Sequence, residues 1–343
     1  MRALSNSTKQ AAAHPARRIA AKPLDDRWSP LEIAFWLSPI AAYFLFPDRL
    51  VLISQILIVG LFALSLDLIL GYAGIVSLGH AAFFGLGAYT AGLLSVHGWA
   101  EPVSGLVAAA CVAGAAGFAA SFLVVRGQDL ARLMVTLGIG QMLFEAANKA
   151  AFVTGGIDGL SGISTDMLFG AFEFDLYGHT AFWYSLGVTF TVFVLIRRVA
   201  SSPFGLSLRG IREGGKRMPA IGADVERRLR IVFTMGAAVA GIAGALLAQT
   251  TQFVGLDTLG FPRSAELLIM VVLGGTGRLY GALLGTAVFI IAQDTLSSVD
   301  PAYWQFYVGL LLVLIVLFAR GGLLGGGAAL FQRLRNLVGK DRA

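Results

Sequence analysis

Leu50-Val-Leu-Ile-Ser-Gln-Ile-Leu-Ile-Val-Gly-Leu-Phe-Ala-Leu-Ser-Leu-Asp-Leu-Ile-Leu70 is broken only by Ser54, Gln55, Gly60, Ser65 and Asp67. A helix needs about 20 predominantly apolar residues to cross the hydrocarbon core of a bilayer, and this run supplies them. Val103 to Val125 repeats the pattern with no charge at all. The whole chain agrees: 57% of its 343 residues are hydrophobic and 13% charged, against about 25% charged in a soluble domain. The fold class that follows is an all-α polytopic membrane protein. Eight to ten transmembrane helices are expected, some broken or re-entrant at glycine-rich segments.

Working outward, apolar segments fall near 31–46, 50–70, 80–96, 103–125, 133–153, 181–196, 231–251, 265–275, 282–297 and 303–319. Residues 197–230 carry nine Lys or Arg and three acids, whereas 154–180 carry four acids and no Lys or Arg. Positive loops stay on the cytoplasmic side, so the first region is expected inside and the second outside. Ten crossings with both termini cytoplasmic satisfy this. The expected domains are a disordered tail over 1–28, a membrane domain over 29–320 containing a cytoplasmic loop at 197–230, and a basic cytoplasmic tail over 321–343. Residues 1–27 hold six basic and two acidic residues and no apolar stretch, which is no secretory signal.

Other classes are excluded by what is missing. One cysteine, Cys111, permits no intrachain disulfide, and His14, His80, His97 and His179 lack metal-site spacing. No catalytic motif, cofactor site or nucleic-acid face is found. Gly210-Ile-Arg-Glu-Gly-Gly-Lys216 has phosphate-loop spacing, but Arg217 stands where a Ser or Thr belongs. No ATPase site of its own is therefore expected, and the chain is not read as an enzyme.

Two segments do not read as plain crossings: Gly71-Tyr-Ala-Gly-Ile-Val-Ser-Leu-Gly79 and Gly274-Gly-Thr-Gly-Arg-Leu-Tyr-Gly281. Glycine weakens a helix by about 1 kcal/mol per residue, so the chain is expected to bend or unwind there. Paired glycine-interrupted segments mark a translocation path, and small residues equally serve close helix packing; both readings stand. Asp67, Glu145, Lys149 and Asp294 lie in or beside apolar segments, where a charge costs about 2.5–3.5 kcal/mol. The i, i+4 spacing of Glu145 and Lys149 suggests an ion pair. Asp67, one turn before the first glycine segment, either faces a polar path or accepts a bond from bent backbone.

Ser201-Ser-Pro-Phe-Gly-Leu-Ser-Leu-Arg-Gly-Ile-Arg-Glu-Gly-Gly-Lys-Arg-Met-Pro-Ala-Ile-Gly-Ala-Asp224 is too charged to enter the membrane and too short for a domain. Pro203 is expected to open a helix through Arg212, and Pro219 a second after the turn at Gly214 and Gly215. Such a knob has the shape of a docking element.

Gly71-Tyr-Ala-Gly74 with Ser77-Leu-Gly-His-Ala-Ala-Phe-Phe-Gly-Leu-Gly-Ala-Tyr89 resembles the signature of branched-chain amino-acid ABC importer permeases of the LivM type. Thr154-Gly-Gly-Ile-Asp-Gly-Leu-Ser-Gly-Ile163, Ser202-Pro-Phe-Gly205 and Val272-Leu-Gly-Gly-Thr-Gly-Arg278 match in order, and the similarity runs from about residue 50 to 325. The resemblance implies a bacterial inner-membrane permease subunit that works with two cytoplasmic ATPase subunits, a second related permease and a periplasmic binding protein. It implies that Arg209, Arg212, Glu213, Ala220 and Gly222 couple to the ATPase. A translocation path beside Asp67, Gly71, Tyr72, Gly74, Ser77, Gly79, His80, Gly274, Gly275 and Gly277 follows from it as well. Ile75 stands where many relatives have Gln, and Asp67 where Asn is common. Importers of urea or short amides share most of these motifs, so the solute stays open. A stand-alone ion-coupled carrier or channel, using Asp67, Asp294 and the Glu145–Lys149 pair as ion or proton sites, is the alternative from another class.

Overall fold

A computed structural model describes residues 29–127, 130–167, 174, 178–301, 303, 304, 306, 307, 309, 310, 313 and 322. The tail over 1–28, nearly all of the tail over 321–343 and much of the apolar segment 303–319 lie outside the described residues.

Among the described residues the chain is helical, and its only β pairing is one isolated antiparallel bridge between Leu160 and Val254. Helix α1 (Pro30–Leu45) starts at a capping box in which Ser29 Oγ accepts from Glu32 N and Glu32 accepts from Ser29 N. Pro39 cannot donate to the carbonyl of Phe35, and Ser38 Oγ donates to it instead at 2.7 Å. Then come α2 (Leu50–Asp67), continued by a π-turn over Leu68–Tyr72, and α3 (Ala81–Val96). Helix α4 (Pro102–Val124) begins at Pro102, with Glu101 accepting from Ser104 N at 2.7 Å as its cap. Helix α5 (Leu130–Lys149) leads into the single turn α6 (Ala151–Thr154). The rest are α7 (His179–Ser201), α8 (Pro203–Gly214), α9 (Val225–Thr251), α10 (Phe261–Gly274) and α11 (Leu279–Val299).

Among the described residues, six helical stretches are long and apolar enough to cross a membrane: Pro47–Tyr72, Pro102–Val124, Leu130–Lys149, His179–Ser201, Val225–Thr251 and Leu279–Val299. Helices α1 and α3 are apolar but shorter, at 16 residues each. At 1.5 Å per residue α3 spans only about 24 Å of a core about 30 Å thick.

Helix α9 is the axis of the bundle, packed against α2, α3 and α4. Its Gly236-Ala-Ala-Val-Ala-Gly-Ile-Ala-Gly-Ala245 stripe lets backbones touch: a Cβ on Gly241 would lie 2.5 Å from Ala113 Cβ, and one on Gly244 would strike the Phe84 carbonyl. Lipid tails are as apolar as leucine, so it is close van der Waals fit that holds such helices together.

The bundle has two distinct ends. At one, Arg49 pairs with Asp294 (2.8 Å), Leu160 bonds Val254, Ser164 N donates to Ser95 Oγ, and Tyr184 Oη and Pro102 O meet Gln249. At the other, Arg197 pairs with Glu32 (3.0 Å), and α8 packs beside the π-turn. The described 154–167 part of the acid-rich loop thus lies at the first end and the arginine-rich loop at the second.

Candidate functional site

The last turn of α2 widens into the π-turn as it meets the second glycine segment. Gly277 N donates to Asp67 Oδ1 at 2.7 Å. Of the two readings open for Asp67, bonding to bent backbone is the one observed, and the donor lies in the other break. The approach demands glycine twice. A Cβ on Gly71 would stand 2.3 Å from Asp67 Oδ1 and 2.4 Å from Gly277 N, and Gly277 itself has φ +80°. Gly274 packs equally tightly on the carbonyl of Gly281, and Gly275 adjoins Gly322. An Asn in place of Asp67 would offer the same oxygen acceptor.

Beyond Tyr72 the chain leaves the helix. Gly74 turns at φ +74°, and residues 74–79 run extended through the bundle until Ala81 N finds Ser264 Oγ at 2.9 Å. Leu78 N donates to Thr136 Oγ1 at 3.3 Å, and Gly79 presses on the backbone of α5. Irregular backbone at this depth survives only where protein buries it or water reaches it. Ser77 and His80 are both fully buried. Ser65 Oγ spends its proton on the Phe62 carbonyl (2.6 Å), so His80 Nε2 is the donor across their 2.9 Å contact. That leaves His80 Nδ1 a bare acceptor. Neither it nor Ser77 Oγ has a protein partner among the described residues.

The arginine-rich loop folds as one helix and one turn. Ser202 caps α8 by accepting from Gly205 N, and Pro203 takes its first position. The second helix expected from Pro219 is a single 3₁₀ turn over Met218–Ile221, closed by Gly222 at φ +82°. The residues with phosphate-loop spacing are helical through Gly214. Leu208 and Ile211 bury the inner face of α8. From that side Arg212 Nη1 donates to the Gly71 carbonyl, and the Arg209 guanidinium lies 4.9 Å from the centre of the Tyr72 ring. Both guanidiniums therefore reach toward the bundle, with Arg212 itself exposed and Arg209 half-buried. Leu206, Glu213, Lys216, Arg217, Ala220, Ile221 and Gly222 are exposed.

The structure thus brings Asp67, Gly71, Tyr72, Gly74, Gly277, Arg209 and Arg212 into one cluster. Ser77, Gly79 and His80 lie deeper along the extended chain. Sequence reading missed Ser65, Thr136 and Ser264, which hold that chain; isolated hydroxyls in apolar helices carry no local signal. The expected Glu145–Lys149 pair is not made: Glu145 accepts from Gln141 (3.3 Å), and Glu145 and Lys149 point out of the bundle. Asp294 instead pairs with Arg49. At the acid-rich end a cavity of about 330 Å³ lies between α2, α7 and α9, lined by Ser54, Gln55, Gln249, Thr250 and Gln252, with no charged side chain among the described lining residues.

Broken helices inside a bundle, with a polar helical knob seated on the breaks, make this a helical membrane protein. Within that class, the family model for the branched-chain amino acid transport system permease component matches residues 49–316, and the chain belongs to that family. It is 30% identical over 287 residues to the high-affinity branched-chain amino acid transport system permease protein LivM of Escherichia coli K12, covering 76% of this chain and 66% of that one. It therefore spans just under two thirds of that relative's length. The corresponding LivH of Escherichia coli K12 is 25% identical over 77% of this chain and 90% of its own. A probable LivM of Methanocaldococcus jannaschii is 29% identical over 49% and 53%. No solved structure matches the chain.

Proposed function

We propose that this chain is a permease subunit of an ATP-driven importer in the bacterial inner membrane, moving branched-chain amino acids or similarly small neutral solutes. The observation that carries the reading is the seating of α8 on both glycine breaks through Arg212, Gly71, Asp67 and Gly277. A surface element that grips the interior of a bundle is what a separate motor needs. Two cytoplasmic ATPase subunits would meet the exposed side of the knob, where Leu206, Glu213, Ala220, Ile221 and Gly222 lie. The names of the relatives and the uncharged cavity at the acid-rich end support a neutral solute, handed over by a periplasmic binding protein.

A second, related permease is supported by α5. Ala131, Met134, Leu137, Gly138, Gln141, Met142, Glu145 and Lys149 form one exposed stripe along it. Charges at membrane depth face a protein or a wet path rather than lipid, so this stripe calls for a partner. The membrane domain makes eight to ten crossings, ten with both termini cytoplasmic, if α1–α5, α7, α9, α10, α11 and the segment 303–319 each cross. The extended chain from Gly74 to His80 and the facing glycines Gly274, Gly275 and Gly277 then border the solute's path.

Reconstituting the chain with its co-purifying ATPases, second permease and binding protein in liposomes tests this. Labelled leucine should accumulate only with ATP on the knob side, and urea should not compete. The double substitution Glu213→Ala with Gly222→Trp should abolish uptake while leaving membrane insertion intact. Uptake by the purified chain alone, driven by an ion gradient, would replace this reading with a self-sufficient carrier.

A further inference from the structure

We infer that Arg212 is a positioning residue for transport: it carries movement of α8 into the membrane by holding the carbonyl of Gly71, and with it the clasp between the two glycine breaks. The inference rests on the importer reading above and goes inside it, to the route by which work reaches the path.

Both glycine segments converge on this one side chain. Its stem lies on Gly74, where a Cβ would come within 3.1 Å of Arg212 Cγ. Its Nη1 reaches the Gly71 carbonyl, and the same atom would be 2.9 Å from a Cβ on Gly277. Gly277 is in turn held by Asp67, whose carboxylate lies against Gly71. The Gly71 carbonyl lies at the end of a helix, where the last carbonyls lack helical partners, so its donor has to come from elsewhere in the fold. Arg212 supplies it.

The consequence is mechanical. Leu208 and Ile211 anchor α8 on the bundle, so a pull on the knob's outer face moves Arg212 with it. Withdrawing the guanidinium leaves a part-buried carbonyl unpaired, at the mouth of a turn that already departs from regular helix geometry. Single π-turns recur at functional sites. Each arrangement of α8 thus favours a different arrangement of the break, which is the differential interaction a driven change requires. The two nearest arginines divide the work: Arg209 lies over the Tyr72 ring and Arg212 holds the backbone.

The test uses the complete complex in liposomes and reads labelled leucine taken up per ATP hydrolysed. Arg212→Met keeps a long stem on Gly74 and removes the donor. It is expected to lower uptake per ATP about ten-fold, the scale of one lost hydrogen bond to a charged group, with the hydrolysis rate and the half-saturating concentration of loaded binding protein within about two-fold of wild type. Arg212→Lys, which retains charge and a donor, should recover most of the loss. Gly277→Ala should reproduce the defect without altering α8. Wild-type uptake per ATP in Arg212→Met overturns the inference. So does a proportional fall of hydrolysis and uptake, and so does loss of assembly in Arg212→Met and Arg212→Lys alike, each of which makes Arg212 a structural or docking residue. If the wild-type complex itself takes up leucine without ATP, the importer reading fails instead, and the two failures are told apart.

Discussion

Asp67 ends an apolar helix with a carboxylate that is fully buried, and one amide N–H from the second glycine segment meets it. Removing the acceptor strands that N–H. A buried donor without a partner costs about 1–3 kcal/mol, so Asp67→Leu should lower the melting temperature in detergent by several degrees. Asp67→Asn, which keeps an oxygen at the same place, should remain within about 1 kcal/mol of wild type. Equal destabilisation by both would mean that charge, not acceptance, is what the site uses. Glycines divide just as sharply. A Cβ on Gly79 would sit 1.9 Å from the Thr136 carbonyl, whereas on Gly138 it would meet nothing within 4 Å. Gly79→Ala should therefore cost about 1–3 kcal/mol by overpacking, and Gly138→Ala should be neutral or slightly stabilising, as measured by thermal unfolding of the isolated chain. At this scale the sequence marked Asp67 and Gly277 and not the bond between them. A carboxylate in an apolar run is visible in one dimension. Its bond to Gly277, 210 positions away, depends on tertiary packing that no periodicity encodes.

Helices were legible because bilayer crossing imposes a length, and α1–α5, α7 and α9–α11 fall close to the apolar segments. Where the reading went astray, local spacing met a competing force. Glu145 and Lys149 are correctly spaced to pair, yet Glu145 is bonded to Gln141 and both charged ends face outward. The hairpin after α8 has room for one turn, because Gly215 and Gly222 bracket it and Met218–Ile221 tightens to 3₁₀ geometry. The outward stripe of α5 makes its own prediction. Replacing Glu145 and Lys149 together by leucine should leave the isolated chain as stable as wild type or more so, since two exposed charges leave the membrane-facing surface. The same change should weaken co-purification of the second permease. Undiminished association would show that the stripe faces lipid or water rather than a partner.

For the molecule as a whole, the structure sorts the loops onto two ends, and it does so from contacts alone. The acid-rich 154–167 region meets 252–259 and the start of α4, while α8 meets the breaks at Gly71 and Gly277. Orientation in the membrane then rests on one question: which end faces the motor. Ile221, 76% exposed at the tip of the knob, and Ile157, 86% exposed at the opposite end, are the natural reporters. Each would be changed to cysteine in a Cys111→Ser background and treated with a membrane-impermeant maleimide on intact, right-side-out cells. The account predicts that Ile157→Cys is labelled at once and Ile221→Cys only after the membrane is opened. Labelling of Ile221→Cys from outside would put the knob beyond the reach of any cytoplasmic ATPase and contradict the account.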